Sequence, residues 1–451
     1  LGWTGSQRQW HHYEKAYLLL AGLATALVVS VHSIVSLDFA ATQLPGWHST
    51  IFPPYFVAGA MFSGFGMVLT LVIPIRRLCG LENIITRRHI DIICKATLAT
   101  GLIVAYGSVM DAMAGWFGEH EYERYVVLNR IGGPYWWAFW TSVTCACVIP
   151  QAFWFSKVRS NLPLVWLISV LINVGMWCER FVIVVGSLHR DFMPANWAYY
   201  RPTWVDVCTF AGSFGLFFTF FLLFLRFLPV VAVSELKGHA EDQSVNASAN
   251  SDSSGSGAPS ASTRPTCEST SCGNAARAEY GLLAEFAGAT DVLRVADRLR
   301  RLGFEHWDAF TPHPVRGLSG AMGLQDSPLG KFAFVGGAVG FVASFVMIWY
   351  MNKADYPLPV GGKPLFSPFS AFPTAYELAV LCASVGVFLG IFSLTGLPNL
   401  RHPLLRCREF RNATRDRFFV VVESDDPLYD NKRTADLLES LGAKRILTIR
   451  Q

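Results

Sequence analysis

The sequence predicts an all-α polytopic membrane bundle of six spans, followed by an α+β domain that a two-span transmembrane hairpin interrupts. Three observations carry this. Hydrophobic residues make up 52% of the 451 and charged residues only 16%, well below the quarter or so that soluble proteins carry. Eight apolar stretches are long enough to cross a bilayer, since about 20 residues rising 1.5 Å each cover roughly 30 Å. A β-α-β pattern stands on each side of the last two stretches.

The first six stretches cover about 16–37, 52–75, 90–116, 134–156, 162–187 and 204–228. Loop charge sets their orientation. Arg76, Arg77, Arg87 and Arg88 fall in one loop, and Lys157 and Arg159 in another. The 38–51 loop has no Lys or Arg, and Arg124 and Arg130 are offset by Glu119, Glu121 and Glu123. The basic loops and the N-terminus are therefore expected in the cytoplasm, with His32 and Asp38 near the outer face. Trp47, Tyr55, Trp116, Tyr135, Trp136, Trp137 and Trp197 sit near the expected outer boundaries, where amphipathic rings prefer the interface. The chain begins at Leu1, and the reading is that it is N-terminally truncated and has no signal peptide.

Beyond Arg226 the composition changes. The reading divides the chain into a membrane domain (1–234), a Ser/Gly-rich linker (235–278) and a second domain (279–451). In the linker, low apolar content gives no core to fold around. In the second domain, Tyr280 to Phe286 reads as a strand. Asp291 to Leu302 reads as an amphipathic helix with Val292, Val295, Leu299 and Leu302 on one stripe, closed by Gly303. A short strand is expected at 306–311, spans at about 331–351 and 374–397, a strand at Phe418–Glu423, a helix at Lys432–Leu441 and a strand at Lys444–Ile449. The order predicts a ferredoxin-like sandwich (279–330 with 398–451) interrupted by the hairpin (331–397). Eight spans, an even number, return both halves to the cytoplasm.

Ionisable residues inside such spans are functional candidates, because hydrocarbon solvates charge poorly. His32, Asp38, Asp111, Glu179, Arg180 and Asp206 lie toward one side, Asp91 and Lys95 toward the other, and Tyr106 near mid-depth. Asp91 and Lys95 are four apart and share a helix face, as do Asn173 and Arg180, seven apart. His32 and Asp38 are six apart, so they occupy different faces unless the helix ends or bends between them. Each has a plainer role beside it: an interfacial ion pair for Asp91 and Lys95, a helix-locking pair for Glu179 and Arg180, and a helix-start carboxylate for Asp206. Asp38 could likewise serve at a helix end.

The ten cysteines contain no CxxC or CxxCH, so neither covalent haem nor a metal or iron–sulfur ligand set is expected. Cys267 and Cys272, with four residues between them, are a weak exception. The net charge of +4 does not point to nucleic acid. The expected environment is the lipid bilayer.

Three segments carry a family resemblance. SVHSIVSLDFA (30–40), PGWHSTIFPPYFVAGAMFSG (45–64) and NVGMWCERFVIVV (173–185) resemble the NrfD/polysulfide-reductase membrane subunit, and more closely the large quinol-binding membrane subunit of bacterial alternative complex III. Residues 279–451, with TPHPVRGLSGAMGL at 311–324, resemble the small two-span membrane subunit of that complex, here fused to the large one. The resemblance implies a quinol:electron-acceptor oxidoreductase complex in the bacterial inner membrane, with menaquinol or ubiquinol as substrate. It implies as partners an iron–sulfur subunit, multihaem cytochrome c subunits and a second NrfD-like subunit. It places Asp38 at the quinol pocket and Asp91, Lys95, Asp111, Glu179 and Arg180 on a proton path; the positions of the residues add His32 as a catalytic and quinol-binding relay and Tyr106 as a mid-depth member of that path. Family members have roughly ten spans in the large subunit, so about four N-terminal spans and part of the quinol pocket are expected to be missing. A secondary transporter and a structural membrane anchor are the competing classes; the transporter reading lacks an inverted repeat.

Overall fold

The computed structural model describes residues 2–118, 121–190, 193–234, 236–238, 279–359, 361–362, 364–399, 402–407 and 409–450. Most of the expected linker, with Cys267 and Cys272, lies outside them. The chain forms two compact units, one of Leu1–Ala24 with Leu222–Gln451 and one of Thr25–Phe221.

Among the described residues seven helices are long and apolar enough to cross a membrane. They are α1 (Gln7–Ala40), α2 (Phe52–Leu78), α3 (Arg87–Phe117), α7 (Leu162–Leu188), α8 (Trp204–Phe227) and the two hairpin helices. The first begins nine residues earlier than its apolar run, because Gln7–Lys15 extends the helix by about two and a half largely polar turns outside the apolar stretch. The expected span at 134–156 is the exception. Its residues form α5 (Trp136–Ser142), a π-helical turn (Val143–Val148) and a 3₁₀ turn (Ile149–Trp154). Pro150 supplies the reason: it has no amide hydrogen and cannot extend the i→i−4 ladder. Two short helices, α4 (Glu121–Gly132) and α6 (Ser156–Arg159), flank this composite stretch.

The core of the Thr25–Phe221 unit is made by α2, α3 and α7. Phe52, Phe62, Leu69, Ile90, Cys94, Ile172 and Val165 are buried there. Glycines allow the close approach. A Cβ on Gly101 would stand 2.9 Å from the Phe62 ring, one on Gly107 2.4 Å from Tyr55, and one on Gly175 2.7 Å from Cys145 in the π turn.

Among the described residues of the other unit, four strands form one antiparallel sheet, ordered β2-β3-β1-β4. They are β1 (Glu279–Phe286), β2 (Trp307–Phe310), β3 (Phe418–Glu423) and β4 (Arg445–Arg450). Helix α9 (Ala289–Leu302) follows β1 and α13 (Asn431–Ser440) follows β3. Between β2 and β3 run the short α10 (Leu318–Ala321) and the hairpin helices α11 (Leu329–Tyr350) and α12 (Pro368–Thr395). Val292, Val295 and Leu299 of α9 pack on Leu282, Ala284, Val420 and Val422, as their stripe predicts. Leu302 ends the helix exposed, and Gly303 reverses the chain at φ 88°. The opposite sheet face is covered too, by Leu404, Phe410 and Ala413 against Leu283, Phe419 and Val421. Burial on both faces accounts for the unbroken apolar run FFVVV at the start of β3.

The hairpin packs through small residues. A Cβ on Gly340 would meet the Leu378 carbonyl at 2.6 Å, and one on Gly336 the Cys382 carbonyl at 2.5 Å. The start of α1 belongs to this unit. Ala16, Leu19, Leu20 and Leu23 pack with Leu329, Val387 and Ile391 of the hairpin. The segment before them lies along the free edge of β2: Ser6 bridges Phe310, Thr311 N donates to Gly5 O at 2.9 Å, and Trp10 Nε1 donates to Thr311 O at 3.1 Å. An exposed edge offers unpaired backbone groups, and this segment covers them.

Candidate functional site

Helices α2, α3 and α7 bring the polar residues of the Thr25–Phe221 unit into three tiers. The middle one surrounds Glu179 on α7. Its side chain is buried, at 7% exposure, and neither carboxylate oxygen makes a close hydrogen bond among the described residues. The guanidinium of Arg180 is 3.7 Å away and lies over the Phe56 ring at 4.0 Å. Tyr55 of α2 faces the same carboxylate and shares a 2.9 Å hydrogen bond with Ser108 Oγ of α3. Gly59 makes room for Arg180, since a Cβ there would come within 3.0 Å of Nη2.

Toward one end, Arg130 of α4 donates to Asp111 of α3 at 2.8 Å and to the Gly46 carbonyl at 3.1 Å. Gly46 N in turn donates to the Glu123 carboxylate at 3.1 and 3.2 Å. Gly46 has φ 81°, a conformation that glycine adopts without strain. The charges of Asp111 and Arg130 both act on Glu179. Below Arg180, about two to three turns along α7, Asn173 Nδ2 donates to Thr70 Oγ1 at 3.0 Å, and Thr70 Oγ1 donates to Ser169 Oγ at 2.9 Å.

The third tier lies twenty residues back along α3. Asp91 accepts from Lys95 Nζ at 2.7 Å, as the four-residue spacing predicts, and from Arg159 Nε at 2.6 Å. Arg159 is fixed further by the carbonyls of Phe153 and Trp154, at 2.6 and 3.0 Å from Nη1.

The remaining expected residues stand apart from these tiers. Helix α1 continues unbroken to Ala40, so His32 and Asp38, six residues apart, point about 120° from each other. His32 Nδ1 bonds back to Val28 O at 2.7 Å, and Asp38 is exposed. Tyr106 is 61% exposed, one position before Gly107, where a Cβ would meet the Tyr55 ring. Asp206 accepts from Thr203 N and Thr203 Oγ1, both at 2.8 Å, which is the helix-start role.

Reading the sequence did not single out Tyr55, Ser108, Arg130, Arg159 or Thr70 as site residues. Tyr55 does lie in the segment PGWHSTIFPPYFVAGAMFSG. Arg130 and Arg159 read only as loop charge, because nothing in a linear pattern says which carboxylate a loop arginine will meet.

A separate polar cavity of about 210 Å³ lies in the other unit, lined by Thr4, Arg8, Asp308, Asn399, His402 and Glu423 among others. Asp308 Oδ2 accepts from Ser6 Oγ at 2.5 Å. Burial pushes the Asp308 carboxyl up to about 6, against the opposing effects of Ser6 and Arg8. Burial lowers His402, with Glu423 opposing. Among the described residues no three His, Cys, Asp or Glu side chains converge as a metal site would require.

Residues 2–190 match the family described as polysulphide reductase, NrfD. Residues 280–448 match the family described as alternative complex III, ActD subunit. A curated relative, the Hdr-like menaquinol oxidoreductase integral membrane subunit of Archaeoglobus fulgidus, is 27% identical over 197 residues, which is 41% of this chain and 48% of the relative. The chain thus spans about half the length of the curated relative it matches.

Proposed function

Because this chain joins an NrfD segment to an alternative complex III ActD segment, we propose that it is an integral membrane subunit of a quinol-oxidising respiratory complex. The observation that carries the reading is Glu179, a carboxylate kept buried on a membrane-length helix with Arg180 as its nearby cation. A charge in that position costs about 2.5–3.5 kcal/mol or more, a cost that pairing with Arg180 reduces, and intramembrane carboxylates characteristically mark binding sites or proton paths.

Quinol oxidation releases two electrons and two protons. A base within about 3 Å of the quinol hydroxyl accepts a proton as an electron leaves. In this reading Asp38 is that base or a hydrogen-bond acceptor, and His32 relays from a neighbouring face. Residues supplied by another chain or segment complete the pocket, since Asp38 is exposed on α1. The electrons go to an iron–sulfur subunit and on to multihaem cytochrome c subunits. Glu179, with Arg180, Asp111, Asp91 and Lys95, forms the proton path; Tyr55, Ser108 and the Asn173–Thr70–Ser169 chain supply hydroxyl and amide groups between the charges. Tyr106 enters only if its ring turns inward.

The strand order β2-β3-β1-β4 with helices after β1 and β3 supports a ferredoxin-like sandwich, and the placing of the basic loops is what argues for its cytoplasmic side. In this reading residues 1–234 are the quinol-binding domain, 235–278 the linker and 279–451 a domain that anchors partners.

Affinity purification from native membranes with haem spectra and subunit identification tests the proposal. Copurifying c-type haem and iron–sulfur subunits, with haem reduced on adding quinol, is the expected result. A haem-free single protein that binds no quinone would overturn it.

A further inference from the structure

A groove of about 430 Å³ opens beside the Asp91 tier, lined by Lys95, Leu98, Ala99, Leu102, Trp154 and Arg159. We propose that it binds an anionic phospholipid, whose phosphate sits on Lys95 and Arg159 and whose acyl chain runs along Leu98, Ala99 and Leu102 beside Trp154.

The shape follows from helix geometry. Lys95, Leu98, Ala99 and Leu102 recur at three- and four-residue intervals, so they form one stripe of α3. Leu102 lies seven residues past Lys95, about 10 Å farther along the axis. The groove therefore runs from a cationic head to an apolar tail, the polarity of an amphiphile. Its volume suits a headgroup and the start of one chain rather than a whole lipid.

The charge argument selects an anion. Asp91 neutralises one of the two cations that it bridges, at 2.7 Å to Lys95 and 2.6 Å to Arg159, which leaves one positive charge. Arg88 continues the same stripe one turn before Asp91, and Lys157 stands two residues before Arg159. A neutral quinone ring would gain little from this surface, whereas a phosphate gains charge-assisted hydrogen bonds. Arg159 is also preorganised, since the Phe153 and Trp154 carbonyls already hold Nη1. Trp154, 61% exposed, sits where an interfacial indole flanks a headgroup.

Native mass spectrometry of the full chain in its complex, after detergent exchange into a mixture of phosphatidylglycerol and phosphatidylcholine, tests this. The expected result is retention of phosphatidylglycerol over phosphatidylcholine. Lys95→Gln keeps the Asp91–Arg159 bridge and should lower that retention about fivefold, the effect of one basic residue at an anionic surface. Ala99→Trp fills the groove from its exposed wall without touching the charges, and should abolish retention. Equal retention of the two lipids, or unchanged retention in both variants, overturns the proposal. So does recovery of quinone from the groove in place of phospholipid.

Discussion

Arg130 and Asp111 lie nineteen residues apart in sequence and 2.8 Å apart in the structure, with side chains only 11% and 18% exposed. The same guanidinium holds the Gly46 carbonyl, so one side chain ties α4, α3 and the loop after α1 together. Arg130→Met should destabilise the protein by about 3 kcal/mol, the lower end for removing one partner of a buried pair, because it leaves a largely buried carboxylate without its cation. Thermal unfolding in detergent measures this; an unchanged Tm would show that water replaces the guanidinium at no cost.

Glu179→Gln keeps the side-chain volume and removes the titrating proton. Turnover with quinol should fall about a hundredfold, the lower end of what loss of a proton-transfer group costs, and the proton-to-electron ratio in proteoliposomes should drop with it. If both values match the native protein, Glu179 is a structural partner of Arg180 and nothing more.

Gly107→Ala places a methyl 2.4 Å from the Tyr55 ring. Tyr55 must move, its bond to Ser108 breaks, and overpacking costs about 1–3 kcal/mol. Gly64→Ala is the control, since a Cβ there meets nothing within 4 Å and alanine favours the helix. Equal melting temperatures for the two variants would mean that α2 and α3 relax apart freely.

Asp38→Asn should lower quinol oxidation in the complete complex by about a hundredfold or more, the loss expected for a general base. His32→Gln should have a smaller effect, because His32 points to another face of α1. Full activity in Asp38→Asn removes that residue from the reaction.

The Asp308 carboxyl predicts a pH dependence in the docking of the N-terminal segment. Its folded value, about 6, lies above the ordinary carboxylate value, so ionisation opposes the folded arrangement. The penalty, roughly 2 kcal/mol after allowing for partial solvent access, is complete above about pH 7 and disappears as the pH falls toward 4. Hydrogen exchange of residues 4–12, corrected for intrinsic rates, should be slower at pH 5 than at pH 8. Asp308→Asn should give slow exchange at both; a pH dependence that survives in this variant assigns the effect to another group.

The spans, the strands and the helix ends were legible because each depends on a local pattern. An apolar run of sufficient length announces a span, and Val292, Val295 and Leu299 announce the buried face of α9 whatever they meet. Gly303 and Gly442, at φ 88° and 96°, mark helix ends where a side chain would strain the backbone. Asp91 and Lys95 were legible as a pair because four residues bring them to one face. The stretch at 134–156 was only half legible: its hydropathy predicted a span, but Pro150 divides the helix into turns of different pitch.

Sequence by itself thus determined which segments are apolar, where they start and stop, and which residues share a face. Tertiary structure decided the partners: Arg159 for Asp91, Arg130 for Asp111, Tyr55 beside Glu179, and residues 5–10 on the edge of β2. The physical reason is range. Helical and strand periodicity is set by neighbours within a few residues, whereas an ion pair or a covered strand edge depends on how separate elements pack, and that is encoded in the fit of whole surfaces.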